Sequence, residues 1–195
     1  MKTFLTHLAE FVKMAIIALA IILPIRYFIV QPFYVKGASM EPTFHDHEYL
    51  MVDEISYRFN EPKRGEVLVF RYPYNPKEYY IKRLIGLPGE TILIQDGMVF
   101  ITTEDNRQFL LKENYLPSDI YTVFSSIEPI RLSEDEYFVL GDNRNSSKDS
   151  RVFGPINSSH IIGRVFFRGW PLNRFGLLLE DDPYPQEESF GLNGL

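Results

Sequence analysis

Tyr79-Tyr80-Ile81-Lys82-Arg83-Leu84-Ile85-Gly86-Leu87-Pro88-Gly89-Glu90 reads as a β-strand running into a turn. Its aromatic and β-branched residues suit a pleated, half-buried surface, and Gly86, Pro88 and Gly89 stop the strand. Side chains alternate across a strand, so Lys82 and Arg83 point to opposite faces. Lys82 shares its face with the apolar neighbours Tyr80 and Leu84. Two readings of that lysine stand side by side. Its stem can lie along apolar surface with the ammonium in water. Alternatively the amine is desolvated and its pKa is driven down far enough for it to act as a base. Each unit of such a shift costs about 1.4 kcal/mol, so the second reading requires substantial apolar burial.

Working outward, more strands follow. Tyr49 to Asp53 is one, followed by a polar turn through Asn60 to Gly65, and Arg64 to Phe70 is a turn entering a buried strand. Residues 71–78, with Pro73, Asn75 and Pro76, read as a loop. Residues 91–94 and 98–102 form a hairpin around Asp96-Gly97. Residues 104–134 make a long polar excursion with short strands and no motif. Residues 136–140, 152–155 and 161–167 add further strand, and the apolar 170–179 region suits an interface or the core. The 12 Tyr, 16 Phe and 13 Pro lean the same way, toward strands and loops rather than a helical bundle.

The totals narrow the function. At 195 residues there is room for one domain, or one domain and an anchor. There is no cysteine, which excludes disulfides, thiolate metal sites and cysteine nucleophiles. A formal charge of -6 argues against general nucleic-acid binding. Residues 11–30, FVKMAIIALAIILPIRYFIV, would span about 30 Å as a helix, the thickness of a bilayer's hydrocarbon core. Lys13 and Arg26 would snorkel at its ends, and Pro24 would kink it. A cleavable signal peptide and a buried core helix are the competing readings. Lysines and arginines before and after the segment barely decide its orientation.

Just past this segment lies Gly37-Ala38-Ser39-Met40-Glu41-Pro42-Thr43. Gly37 and Ala38 permit close approach, and Pro42 stiffens the chain after Ser39. A nucleophilic hydroxyl needs such a setting, with a backbone N–H nearby to receive an oxyanion. A simple turn is the plainer reading. A third stretch, Gly141-Asp142-Asn143-Arg144-Asn145-Ser146-Ser147-Lys148-Asp149-Ser150-Arg151, has no large apolar side chain and is dense in short hydrogen-bonding groups. It is either a solvated loop or one that orients catalytic groups, with Asp149 and Arg151 as a fixed ion pair. His45-Asp46-His47 reads as a solvated turn rather than a metal site.

Taken in order after an apolar N-terminal segment, GASMEPT, YIKRLIGLPGE and GDNRNSSKDSR, with RGEVLVF between the first two, resemble the bacterial type I signal peptidases. The similarity runs from about residue 31 to 175, and the compact size is similar to the shorter, single-anchor members. The resemblance implies a mainly β fold, shared with the self-cleaving repressors, and a Ser–Lys dyad. Ser39 is then the nucleophile and Lys82 the general base. Ser147 orients the lysine, Asp149 and Arg151 brace it, Asp142 and Arg144 support the loop, and Arg83 is the structural arginine beside the lysine. Phe33, Val35 and Ile81 line shallow pockets for small residues at the first and third positions before the cut. No cofactor and no metal are implied. The implied partners are exported preproteins, the lipid bilayer and the secretion translocon, with no nucleic acid.

The implied layout is a cytoplasmic N-terminus over 1–10, a transmembrane anchor over 11–30, an extracytoplasmic catalytic β-domain over 31–179 and an acidic, disordered tail over 180–195. Such a protein sits in the cytoplasmic membrane as a single-pass serine endopeptidase that removes signal peptides. Three positions depart from the family pattern. Gly37 stands where some members place an oxyanion-binding serine, Asn145-Ser146 replaces the usual Asp-Asn, and 104–134 matches no family motif. Other readings are a catalytically inactive tethered β-domain used for binding, and a specialised processing protease with few substrates. A self-cleaving regulator would need a DNA-binding helix-turn-helix, and the N-terminus is apolar instead.

Overall fold

The computed structural model describes residues 2–28, 30–124 and 128–178, so the expected tail over 180–195 lies outside the described residues. Helix α1 (Lys2–Phe28) takes in residues 2–10 as well as most of the apolar segment. Lys, Leu, Ala, Glu and Met are strong helix formers, and no glycine or proline intervenes before Pro24. Among the described residues, no helix is long and apolar enough to cross a membrane.

The rest is built on antiparallel strands. In chain order they are β1 (Val30–Tyr34), β2 (Tyr49–Asp53), β3 (Val67–Tyr72), β4 (Asn75–Gly86), β5 (Thr91–Gln95), β6 (Met98–Thr102), β7 (Gln108–Leu110), β8 (Ile130–Arg131), β9 (Glu136–Leu140), β10 (Ile156–Asn157), β11 (Ile161–Trp170) and β12 (Gly176–Leu177). A large sheet has the order β1-β2-β11-β3-β4-β9-β10, with β12 paired to β11, and a four-stranded sheet has the order β7-β6-β5-β8. The mainly β expectation is met.

Two local expectations are corrected. The stretch 71–78 is not a loop: β3 and β4 form one long hairpin closed at Pro73 and Tyr74, and β4 begins at Asn75. The register shifts between Arg71 and Tyr72, pairing Arg71 with Tyr79 and Tyr72 with Asn75, so Pro76 stands in a bulge that needs no ladder donor from it. Residues 152–155 are not strand either. A single helical turn, α2 (Ser150–Phe153), forms because the Asp149 carboxylate accepts the Arg151 N–H as an N-cap, and Gly154, at φ 81°, ends it. The hairpin between β5 and β6 turns at Asp96 and Gly97 as expected, both at positive φ.

Three apolar clusters fix where the site sits. Val35, Met40, Phe44, Leu50 and Val52 pack beneath the turn that follows β1. Leu68, Phe70, Leu84, Val139 and Ile156 fill the other face of the β3–β4–β9 region, and Ile85, Ile92, Ile101 and Phe138 join the two sheets. Each such side chain contributes about 1.5–3 kcal/mol when fully buried. The turn carrying Ser39 is therefore seated on Met40 and Phe44 rather than floating on solvent.

Candidate active site

Ser39 follows β1 on this seated turn, and Lys82 lies in the middle of β4. Leu68 on β3 pairs with Lys82, which puts the lysine over the hairpin's interior. Lys82 is 3% exposed. Its Nζ donates to Ser39 Oγ at 2.8 Å and to the Ile81 carbonyl at 2.7 Å, and it stands 5.5 Å from the centre of the Tyr80 ring. Burial pushes the amine's pKa down to about 8, against the pull of Asp149 and Asp142, which favour its charge. The desolvated reading of Lys82 is the one the fold realises. The 2.8 Å contact serves both protonation states, because a neutral amine there accepts the hydroxyl proton that the ammonium would repel.

Ser39 and Lys82 open on a cleft of about 570 Å³, whose apolar wall is made by Phe33, Val35, Leu50, Val69 and Ile81. Phe33 meets Tyr79 edge to face at 5.5 Å, closing one side. Phe33, Val35 and Ile81 thus all line the same cleft as Ser39 and Lys82.

Behind Ser39 and Lys82, the loop 141–149 is tied to the turn that carries Ser39. Asn143 donates its backbone N–H to the Ser39 carbonyl at 3.1 Å and its side-chain amide to the Ala38 carbonyl at 3.0 Å. Asp142 accepts from Arg83 Nε at 2.9 Å and Nη2 at 2.6 Å, and from Thr43 Oγ1 at 2.5 Å. Asp149 pairs with Arg151 at 2.7 Å and accepts the Gly141 N–H at 3.0 Å. Burial would raise the Asp149 pKa, but Arg151, the Gly141 N–H and the nearby Ser147 hydroxyl hold it below the usual carboxylate value. The anticipated Asp149–Arg151 pair is present, and Arg83 and Asp142 form one buried unit.

A family match decides what this arrangement belongs to. The sequence model described as signal peptidase, peptidase S26, matches residues 8–170. The chain is a member of that family. It is similar to a signal peptidase I of Leptolyngbya laminosa, 39% identical over 178 residues that cover 88% of this chain and 84% of that one. A signal peptidase I of Bacillus licheniformis is 37% identical over 169 residues, 85% of this chain and 90% of that protein. A crystal structure of a signal peptidase I from Enterococcus faecalis V583 aligns with 54% of this chain and 97% of that one, at 30% identity and a TM-score of 0.44.

Within this signal peptidase family member, the expected residues are not all arranged as the resemblance implies. Ser147 makes no hydrogen bond to Lys82: its Oγ is buried against Asp149 without the geometry of a full bond. Arg144, expected to support the loop, donates its Nε to the Gly141 carbonyl at 3.1 Å and also pairs with Glu113, a partner the sequence reading did not assign. Gly37 sits at φ 85°, which suits glycine, and donates its N–H to Asp46 at 2.9 Å. His47 bonds Tyr34 and lies 3.3 Å from Asp46. Asn143 and Thr43 are residues the sequence reading did not assign. Both were visible as short polar side chains inside singled-out stretches, but their partners lie 105 and 99 residues away.

Gly141 marks how closely the parts meet. A Cβ added there would lie 2.5 Å from the Ser39 carbonyl oxygen and 2.5 Å from Ser147 Cβ, and would run into Ser147 Oγ. Gly141→Ala is therefore expected to displace the turn that carries Ser39 and lower kcat/KM on the order of 10²-fold. A near-wild-type kcat/KM in steady-state assays would show that the two segments have room to part.

Proposed function

We propose that this chain is a membrane-bound serine endopeptidase that cleaves signal peptides from exported preproteins. The observation that carries the reading is the 2.8 Å contact between Ser39 Oγ and the desolvated Lys82 Nζ at the edge of an apolar cleft. Neutral Lys82 takes the Ser39 hydroxyl proton as Oγ bonds to the scissile carbonyl carbon, whose π electrons move onto oxygen. The Ser39 N–H is the proposed oxyanion donor, in place of the hydroxyl that Gly37 lacks. Collapse of the oxyanion breaks the C–N bond, Lys82 returns its proton to the leaving amine, and an ester to Ser39 remains. Water, deprotonated by the same amine, releases the carboxylate and restores the hydroxyl. Ser147, braced by Asp149 and Arg151, is proposed to turn toward Lys82 once substrate fills the cleft.

Substrate choice follows from the cleft. Phe33, Val35 and Ile81 line the cleft beside Ser39 and are proposed to form the shallow pockets that suit small residues at the first and third positions before the cut. A shallow pocket selects by exclusion, since larger side chains meet the aromatic and branched walls.

Membrane attachment is part of the proposal. The apolar stretch 11–30 has the length of a bilayer crossing, and α1 exposes Phe4, Phe11, Met14, Ile16, Ile17 and Leu19. Trp170, Leu172, Phe175 and Leu177 expose a second apolar group at the β11–β12 end of the sheet. With the stretch 11–30 crossing once, the β-domain is proposed to lie on the extracytoplasmic side, where preproteins emerge from the translocon. Anchoring enzyme and substrate in one plane raises their effective concentration.

The test is cleavage of a preprotein carrying an Ala-X-Ala site by the full chain in detergent. A single cut after the second alanine is expected, and no cut in any preprotein tried would sink the reading in favour of an inactive tethered domain. A single accepted preprotein among many would point to a specialised processing protease. Because the base must be neutral, kcat/KM is expected to rise about tenfold per pH unit below the Lys82 pKa and to level off above about pH 8. A profile that levels off near pH 6 would point to a different base.

A further inference from the structure

The polar excursion 104–134 carries no motif, yet it meets each of the three arginines that hold the loop behind the dyad. Glu113 forms a two-point pair with the Arg144 guanidinium, through Nη1 at 2.8 Å and through Nη2. Thr122 Oγ1 accepts a further bond from Arg144 Nη1, and Tyr115 OH lies 3.2 Å from Nη2. The Arg144 side chain is wholly buried. Burial works against its charge, yet Glu113 holds the Arg144 pKa above the ordinary arginine value. The Arg83 guanidinium lies 3.9 Å over the centre of the Tyr115 ring, while the N–H groups along its edge grip Asp142. Arg151 Nη1 donates to the Val123 carbonyl at 3.0 Å while its Nη2 reaches Asp149.

We propose that residues 113–123 are a strap that positions the catalytic loop, with Glu113 and Tyr115 as positioning residues that keep Lys82 dry and aligned on Ser39. The inference rests on reading Ser39 and Lys82 as the dyad. The strap holds Arg144, whose Nε donates to the Gly141 carbonyl at 3.1 Å. Gly141 in turn is bonded to Asp149, and Asn143 of the same loop bonds the Ser39 carbonyl. Glu113 thus touches neither substrate nor dyad but fixes the loop that does. Arg144 bound to Glu113 is also withheld from Asp142, which lies close enough to sense its charge.

The consequence is a shift with a defined sign. The charged groups around Lys82 are Asp142 and Asp149 on the loop, Arg83 beside it on β4, Arg151 on α2, and Lys36, Glu78 and Lys148 around the cleft. Loosening the strap admits water to the amine and loosens the arginines that neutralise the two aspartates. Both changes favour the ammonium, so the Lys82 pKa rises. Mere loss of the Glu113 negative charge at a distance would move it the other way.

The experiment uses the full chain in detergent, with lysine labelled at Cε, and Lys82 identified by its missing signal in Lys82→Met. In Glu113→Gln the Lys82 titration is expected to move up by about one unit or more. At pH 7 kcat would then fall at least tenfold, with KM within about twofold, and Glu113→Asp would restore part of the loss. Thr122→Val, which keeps every charge, should give a smaller shift in the same direction and carries the test if Glu113→Gln does not fold. An unmoved or lowered Lys82 titration in the folded variants overturns the strap, even if their melting temperatures fall. The titration reads the strap whether or not the enzyme cuts the preprotein, so a wild type that cuts nothing refutes the protease reading alone.

Discussion

Ser39→Ala is expected to abolish the specific cut, lowering kcat by about 10⁴-fold or more with KM little changed. Nothing else among the described residues offers a hydroxyl within hydrogen-bond reach of Lys82 Nζ. The variant keeps Met40 and Phe44 seated and gives up one bond worth about 1 kcal/mol, so its melting temperature should fall by no more than about 2–4 °C. Lys82→Met should be as inactive, but its stability should differ in an instructive direction. The folded-state pKa of Lys82 lies at about 8, below its ordinary 10.5. Between those values the unfolded chain holds the extra proton, so stability rises with pH across that window. The full cost, about 3 kcal/mol, is present below pH 8.

Methionine has nearly the same stem as lysine and no charge to desolvate. Its introduction gives up the bonds to Ser39 and the Ile81 carbonyl, each worth about 1 kcal/mol. Lys82→Met is therefore expected to be as stable as wild type at pH 7, or up to about 2 kcal/mol more stable, with the advantage fading toward pH 10. Denaturant titrations at the two pH values measure this. A variant that is several kcal/mol less stable at pH 7 would mean that the lysine is not desolvated in the fold, and the base assignment would lose its physical ground.

How much of this was legible in the sequence depends on the distance over which each feature is decided. The alternation in β4 is local, and its period of two alone puts Lys82 on an apolar face and Arg83 on the opposite one. Turn chemistry is local too: Asp96-Gly97 turns where expected. The loop reading of 71–78 failed because Pro73, Asn75 and Pro76 signal a break, while the pairing of β3 with β4 carries the strand past them. The turn α2 was hidden because Val152 and Phe153 look like strand, and the cap that overrides them is an aspartate already assigned to an ion pair. Glu113 and Tyr115 were invisible for a different reason. Their partners are arginines 31 and, for the ring, 32 positions away, and no periodicity couples segments that meet only when two sheets close on each other.

The buried pair between Arg83 and Asp142 should give the largest loss of stability. Asp142 is fully buried and Arg83 nearly so, with two bonds between them. Arg83 also donates to the Gly65 carbonyl at 2.8 Å and stacks on Tyr115. Arg83→Met leaves the Asp142 carboxylate in a low-dielectric interior with Thr43 as a remaining donor. Breaking one side of such a pair costs about 3–5 kcal/mol, which in a chain of this length lowers the melting temperature by roughly 10 °C. Replacing both members by apolar residues, Arg83→Met with Asp142→Leu, removes the stranded charge and should recover most of that loss. Stability within about 1 kcal/mol of wild type in the single variant would show that the pair is solvated, contrary to its burial. Activity separates a second role from the first. The double variant regains its fold without the carboxylate that accepts from Thr43, four residues after Ser39. Its turnover should therefore stay low while its melting temperature returns, because the same aspartate that costs so much to strand joins Asn143 in fixing the Ser39 turn to the loop behind it.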